Sequence, residues 1–267
     1  MMDLFALSTA INKTIIEAGK LVRSYHGNIK QSQIESKSTH DFVTEIDKKT
    51  ERYLVEKLNR IIPEASFLTE EKTVEETTSS NWRFIIDPID GTTNFIHGLF
   101  PVTLSVALQY KNETVVAAVY EIGANELFYA IRNKGAFLNG FPISVSSETS
   151  LEKSLLATGF PFKNYDRLNA YMKSFEYLMF HTSGLRRLGS AAADLVYVAC
   201  GRMDGFYEYG LNPWDVAGGA FIVLEAGGQI SDFSGRNNWL FGGEIVASNG
   251  RIHPEFLTAL QKTLSPN

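Results

Sequence analysis

The segment Trp82-Arg83-Phe84-Ile85-Ile86-Asp87-Pro88-Ile89-Asp90-Gly91-Thr92-Thr93-Asn94-Phe95 runs an apolar stretch into two carboxylates, a glycine and two hydroxyls. Taken singly, each residue reads as a turn: Asp-Pro and Asp-Gly are turn dipeptides, and Thr is an ordinary N-cap. Taken together, they are harder to dismiss. Two carboxylates just outside a buried strand repel each other unless a cation neutralises them. Oxygen-only ligands suit magnesium, which keeps waters and accepts a phosphate partner. Gly91 would let backbone approach closely, and the N–H groups at the next helix start would cradle phosphate.

Two further acidic sites stand out. Leu68-Thr69-Glu70-Glu71-Lys72 reads, alone, as a solvated charge run. Trp214-Asp215-Val216-Ala217-Gly218-Gly219 puts a carboxylate in a first helical turn, where dipole compensation is its plain role. The glycine pair is less plain, because each costs on the order of 1 kcal/mol inside a helix. Either a neighbouring element or a site must approach there. Other chemistries lack their residues. The five histidines are scattered, and Cys200 sits in an apolar helix as a core residue. There is no Gly-x-Ser-x-Gly elbow, Walker loop or dinucleotide glycine fingerprint.

The elements that must position these groups follow from periodicity. Leu4, Leu7, Ile11, Ile15, Ala18 and Val22 give one helical face, ending near His26-Gly27. Ile29 to His40 is a polar loop or solvent-facing hairpin. Thr44-Glu45-Ile46-Asp47 is a capping-box pattern opening a helix over 46–62, which Pro63 ends. Strands are expected at 82–86, 104–110, 114–121 and 126–131, joined by short turns into an antiparallel meander. Beyond a boundary near Ser146 to Ser150, strands at 154–158, 185–188, 204–208, 229–232 and 244–247 alternate with helices at 166–180, 190–200, 214–226 and 253–264. That alternation predicts an α/β layer with mixed or parallel strands. The domain expectation is therefore 1–146, an α+β half with an antiparallel sheet, and 147–267, an α/β half contributing Glu208 and Asp215.

Composition narrows the classes. The chain has 267 residues, 44% hydrophobic and 21% charged, with one cysteine and a net charge of −5. One cysteine excludes disulfide scaffolds and zinc ribbons. The acidic balance argues against broad nucleic-acid or anionic-membrane binding. No apolar run is long enough to span a membrane, and the N-terminus lacks a signal-peptide pattern, so the expected compartment is the cytoplasm.

At these residues the sequence resembles the inositol monophosphatase family of magnesium-dependent, lithium-sensitive phosphatases. The first family signature is similar to Asp87 through Phe95, and the second to Trp214 through Gly219 with Glu225-Ala226-Gly227-Gly228. Glu70-Glu71 resembles the intermediate acidic pair, and Lys37 to Asp47 the N-terminal loop and helix start. The resemblance implies a layered α-β-α-β-α sandwich and a homodimer. It implies that Glu70, Asp87 and the Ile89 carbonyl hold one magnesium. Asp87, Asp90 and Asp215 hold a second, and Glu70 helps with a third. Gly91 and Thr92 would contact phosphate, with Asp47 orienting the Thr92 hydroxyl. Ser190, Ala191, Glu208 and Arg186 would face the alcohol portion of the substrate. Asn212 stands where animal members carry His, and Thr69 where many carry Gly.

The expected activity is a phosphomonoesterase acting on myo-inositol monophosphate or a related small polyol or sugar phosphate. Glu70 and Thr92 would position and deprotonate a metal-activated water, with Asp90 beside the leaving group. Alternatives in the superfamily are 3′-phosphoadenosine 5′-phosphate, fructose-1,6-bisphosphate, histidinol-phosphate and NADP phosphatases. A regulatory binding protein on the same fold is another.

Overall fold

A computed structural model describes residues 2–29, 34–38, 41–74, 80–160 and 165–264. His40, residues 75–79 of the polar segment before Trp82, and Pro161 to Asn164 lie outside the described residues.

The chain opens with α1 (Leu4–Tyr25), the antiparallel pair β1 (Ile34–Ser38) and β2 (Asp41–Thr44), and α2 (Glu45–Ile61). The polar stretch after α1 thus takes the hairpin alternative. Both helices bury one face. Ile11, Ile15, Ala18 and Val22 of α1 and Leu54 and Leu58 of α2 are fully buried, as their spacing of three and four requires. Thr44 caps α2 as expected: its hydroxyl accepts from the Ile46 and Asp47 amides while Asp47 accepts from the Thr44 amide.

Next come β3 (Ser66–Thr69), β4 (Trp82–Asp90), α3 (Thr92–His97), β5 (Thr103–Tyr110), β6 (Glu113–Glu121), β7 (Glu126–Ile131), β8 (Gly135–Leu138) and β9 (Phe141–Ile143). All these strands form one sheet in the order β3-β4-β5-β6-β7-β8-β9, antiparallel except for the β3–β4 pair. The expected meander is present, extended by β8 and β9. β4 departs from expectation by running on to Asp90. An irregularity between Asp87 and Asp90 accommodates Pro88, which has no N–H for the ladder.

A 3-10 turn (Leu151–Lys153) leads into β10 (Leu155–Thr158), α4 (Leu168–His181), β11 (Gly184–Arg186), α5 (Ala191–Ala199), β12 (Gly205–Tyr209), α6 (Pro213–Glu225), β13 (Gln229–Ser231), β14 (Glu244–Ser248) and α7 (His253–Leu264). The second sheet has the order β11-β10-β12-β14-β13. β10 is parallel to β11 and β12, while β14 is antiparallel to β12 and β13, so the sheet is mixed, as the alternation predicted.

Alternation along the strands builds the layers. Phe84, Ile86, Leu104, Val106 and Leu108 face α1 and α2, while Ile85, Ala107, Ala117 and Val119 face α5 and α6. A third core, including Tyr171, Tyr207 and Phe256, lies between the second sheet and the pair α4 and α7. The order of layers is helices, sheet, helices, sheet, helices. Gly218 and Gly219 are explained by this packing. A β-carbon at Gly218 would lie 2.5 Å from Ser105 Oγ on β5, and one at Gly219 would lie 2.6 Å from Leu195 Cβ on α5. The neighbouring elements, and not a ligand, require the glycine pair.

Candidate active site

Parallel register places the first two acids. Thr69 pairs with Ile86, and the Glu70 amide still donates to the Ile86 carbonyl at 3.3 Å. Glu70 therefore leaves β3 beside Asp87 on β4. Asp87 is buried, and one oxygen accepts the Ile89 amide at 3.0 Å. Gly91 then turns the chain with φ +93, a conformation open to glycine. A β-carbon there would lie 2.9 Å from the Pro101 carbonyl.

Asp90 ties the end of β4 to the start of α5. Its Oδ2 accepts the Ser190 hydroxyl and the Ala192 amide, both at 2.7 Å. Ser190 caps α5 through the Ala193 amide. The carboxylate thus meets the positive end of a helix, a favourable place for it. Asp215 enters from the first turn of α6, where its Oδ2 accepts the Asn212 amide at 2.6 Å. Glu208 comes from β12 and lies against the backbone at Gly159. A β-carbon on Gly159 would clash with its carboxyl group.

These groups face one cleft of about 290 Å³. Glu70, Asp87, Ile89, Asp90, Gly91, Thr92, Ser190, Ala191, Glu208 and Asp215 all line it. Asp47 stands behind the wall: Thr92 Oγ1 lies 3.2 Å from Asp47 Oδ1 and 3.0 Å from the Ile89 carbonyl. The Thr92 side chain does not cap α3, whose N-cap is Gly91. Arg186 departs from expectation. It is exposed, does not line the cleft, and donates to the Leu185 carbonyl. Its neighbour Arg187 lines the cleft instead.

Two acids go unnoticed in the sequence pattern. Asp194 on α5 lines the cleft, is buried, and has an Oδ1 without a hydrogen-bond partner among the described residues. The signal for it is a lone carboxylate inside an otherwise apolar helix. Glu51 on α2 is fully buried and accepts the Glu71 and Thr73 amides. Its signal is the four-residue spacing from Asp47.

Burial dominates the electrostatics. It pushes Asp90 up to about 6, against hydrogen bonds from Ala192 and Ser190. It pushes Asp47 up to about 6, against hydrogen bonds from Thr44. Glu208 is raised to about 8 by burial and then by Asp215 and Asp90. Asp87 is raised well above the ordinary value by burial, then by the charges of Glu70, Asp90, Asp215 and Asp47. Asp194 is raised likewise, with Glu208 and Asp90 adding to burial.

An array of hard oxygens held against mutual repulsion fits a divalent cation of the magnesium type. Among the described residues no three His, Cys, Asp or Glu side chains form a ready-made cage.

Residues 4–265 match the inositol monophosphatase family. The "Nus factor SuhB" of Escherichia coli strain K12 is 41% identical over 249 residues, which is 93% of each chain. The crystal structure of the extragenic suppressor protein suhB from Bartonella henselae superposes with a TM-score of 0.91 at 36% identity, covering 96% of this chain and 99% of that one. The Thermotoga maritima IMPase superposes with a TM-score of 0.88 at 35% identity, covering 97% and 98%.

Proposed function

The chain belongs to the inositol monophosphatase family, and from that premise we propose that it is a magnesium-dependent phosphomonoesterase acting on myo-inositol monophosphate or a related small polyol or sugar phosphate. The observation that carries the reading is the convergence of Glu70, Asp87, Asp90 and Asp215 on one cleft. Glu70, Asp87 and the Ile89 carbonyl are assigned to one magnesium, Asp87, Asp90 and Asp215 to a second, with Glu70 aiding a third. Bound there, the metal would neutralise charge on the phosphoryl and leaving oxygens and make water easier to deprotonate.

The protein's own groups do the rest. Asp47 fixes the Thr92 hydroxyl, which orients the attacking water toward Glu70, the group that takes its proton. The Gly91–Thr92 corner faces the phosphate. Asp90, held by Ser190 and Ala192, borders the departing alcohol. Glu208, Ser190 and Ala191 read that alcohol. Glu208 presents a carboxyl that hydrogen-bonds a substrate hydroxyl, which favours a polyol phosphate over an ester without hydroxyls. We assign the protein to the cytoplasm as a lithium-sensitive homodimer, and the described helices include none long and apolar enough to cross a membrane.

A second reading rests on the relative's name, a Nus factor: a binding role beside turnover or in place of it. The buried acids, costly unless used, favour retained catalysis. A phosphate-release screen over inositol monophosphate, other polyol and sugar phosphates, an aryl phosphate and a bisphosphate separates the two. Release that needs magnesium and is abolished by chelator is expected. No release from any ester would leave the binding role alone.

A further inference from the structure

Glu70 leads into the chain segment after β3, and that segment is held from two sides. On one side the Glu70 amide reaches the Ile86 carbonyl of β4. On the other side stands Glu51, fully buried on α2. Its Oε2 accepts the Glu71 amide at 2.7 Å, and its Oε1 accepts both the amide and the hydroxyl of Thr73 at 2.7 Å. Between these donors sits Lys72 at φ +50, a backbone conformation that a lysine rarely adopts. Three donors onto one carboxylate hold the turn in that shape.

Glu51 lies four residues after Asp47, so both project from the same face of α2. Asp47 approaches the Thr92 hydroxyl, and Glu51 grips the backbone next to Glu70. One rigid helix thus contacts Thr92 and the backbone immediately after Glu70, and Thr92 and Glu70 are the two groups assigned to the attacking water. We propose that Glu51 is a positioning residue: it fixes the Glu70 turn against α2, and so sets the spacing between Glu70 and Thr92 and the affinity of the cleft for magnesium. This rests on the assignment of Glu70 under the proposed function. A carboxylate is required there and an amide does not replace it. Glutamine would turn an NH2 group toward the amide donors and keep one acceptor oxygen.

The test compares Glu51→Gln with Glu121→Gln. Glu121 is another buried carboxylate with backbone donors, the Val102, Gly123 and Ala124 amides, and it does not line the cleft. Magnesium affinity is measured by titration calorimetry without substrate, and exchange of the Glu71 and Thr73 amides by NMR or mass spectrometry. In Glu51→Gln the affinity should fall by about tenfold or more, as for loss of a group that orients a ligand. The two amides should exchange faster, and kcat at saturating magnesium should fall with little change in KM. Glu121→Gln should lower the melting temperature and leave magnesium affinity unchanged. Thr73→Val, which removes one donor of three, should move affinity in the same direction by less, and it carries the test where Glu51→Gln does not fold. Unchanged magnesium affinity in Glu51→Gln or in folded Thr73→Val overturns the proposal. Absence of phosphatase activity in the unaltered protein would sink the functional assignment while leaving the metal-binding comparison readable.

Discussion

Glu121 and Asp87 are both buried carboxylates, 2% and 1% exposed, and they live under opposite conditions. Glu121, at the end of β6, accepts three backbone amides, and Glu51, on α2, accepts three donors from Glu71 and Thr73 in the segment after β3. Among the described residues, Asp87 is given one amide, that of Ile89, and faces the charges of Glu70, Asp90, Asp215 and Asp47. The first kind is a structural clamp whose charge is met by N–H groups of the fold. The second kind is charge held in reserve, stable only when something outside the chain neutralises it. Burial alone does not mark a functional acid. Burial among like charges with too few donors does.

The difference is broken most directly by Asp87→Asn. With a cation ligand lost, phosphate release should fall by about a thousandfold or more, several kcal/mol of transition-state stabilisation. Removing one of several like charges should leave the melting temperature in chelator unchanged or higher. Near-normal turnover would place the catalytic cation elsewhere.

Thr92→Ala comes next. A capping threonine would cost about 1 kcal/mol of stability and leave turnover alone. The hydroxyl here points to Asp47 and the Ile89 carbonyl and not to the amides of α3. Turnover should therefore fall by about a hundredfold, the scale of a group assisting proton transfer. A lowered melting temperature with full turnover would reduce Thr92 to an anchor.

Much of this architecture is written in local pattern. The faces of α1 and α2, the capping box, the meander and the signatures around Asp87 and Asp215 are periodic or short-range features, and they survive without tertiary context. What escapes depends on long-range register. The sequence pattern ends β4 at Ile86, because Asp and Pro look like a turn until the irregular pairing with β5 absorbs them. Arg186 and Arg187 are adjacent, and alternation alone does not say which meets the cleft. Asp194 reads as an incidental residue of an apolar helix because its neighbours Glu208 and Arg187 are distant in sequence or on another element. Glu51 is invisible as a clamp because its donors lie about twenty residues on.

Glu208→Gln sharpens the comparison at the alcohol side. Burial and its acid neighbours raise Glu208 to about 8, so at neutral pH it bonds largely as a neutral carboxyl, and losing that bond costs about 0.5–1.5 kcal/mol. Turnover of polyol phosphates should drop by about two- to tenfold at low substrate, while an aryl phosphate without hydroxyls should be nearly unaffected. Equal losses on both substrates would move Glu208 into the phosphate machinery.

The smallest effect is read in stability against pH. Burial holds Asp47 and Asp90 at about 6 and Glu208 at about 8, above the usual carboxyl range. The folded protein therefore keeps these protons longer than the unfolded chain. Their contribution to stability is complete below about pH 4 and is lost as pH rises through about 6 and then about 8. His253 runs the other way. It is buried between the hydroxyls of Ser231 and Ser248, and burial lowers it to about 4. The unfolded chain takes that proton first, so its contribution is lost as pH falls from about 6.5 to about 4. In chelator these carboxyls together outweigh His253, so the melting temperature should fall as pH rises from about 4 to 6 and go on falling to about 8 as Glu208 loses its proton. A tenfold difference in proton affinity between the folded and unfolded chain is worth roughly 1.4 kcal/mol, and each kcal/mol moves the melting temperature by about 2–4 °C in a chain of this size. Saturating magnesium should flatten that decline and uncover the gain with rising pH that His253 contributes, because the cation meets the cleft acids and not His253. A chelated protein equally stable from pH 6 to 8 would mean that the cleft carboxylates are as well satisfied as Glu121, and the distinction between the two kinds of buried acid would fail.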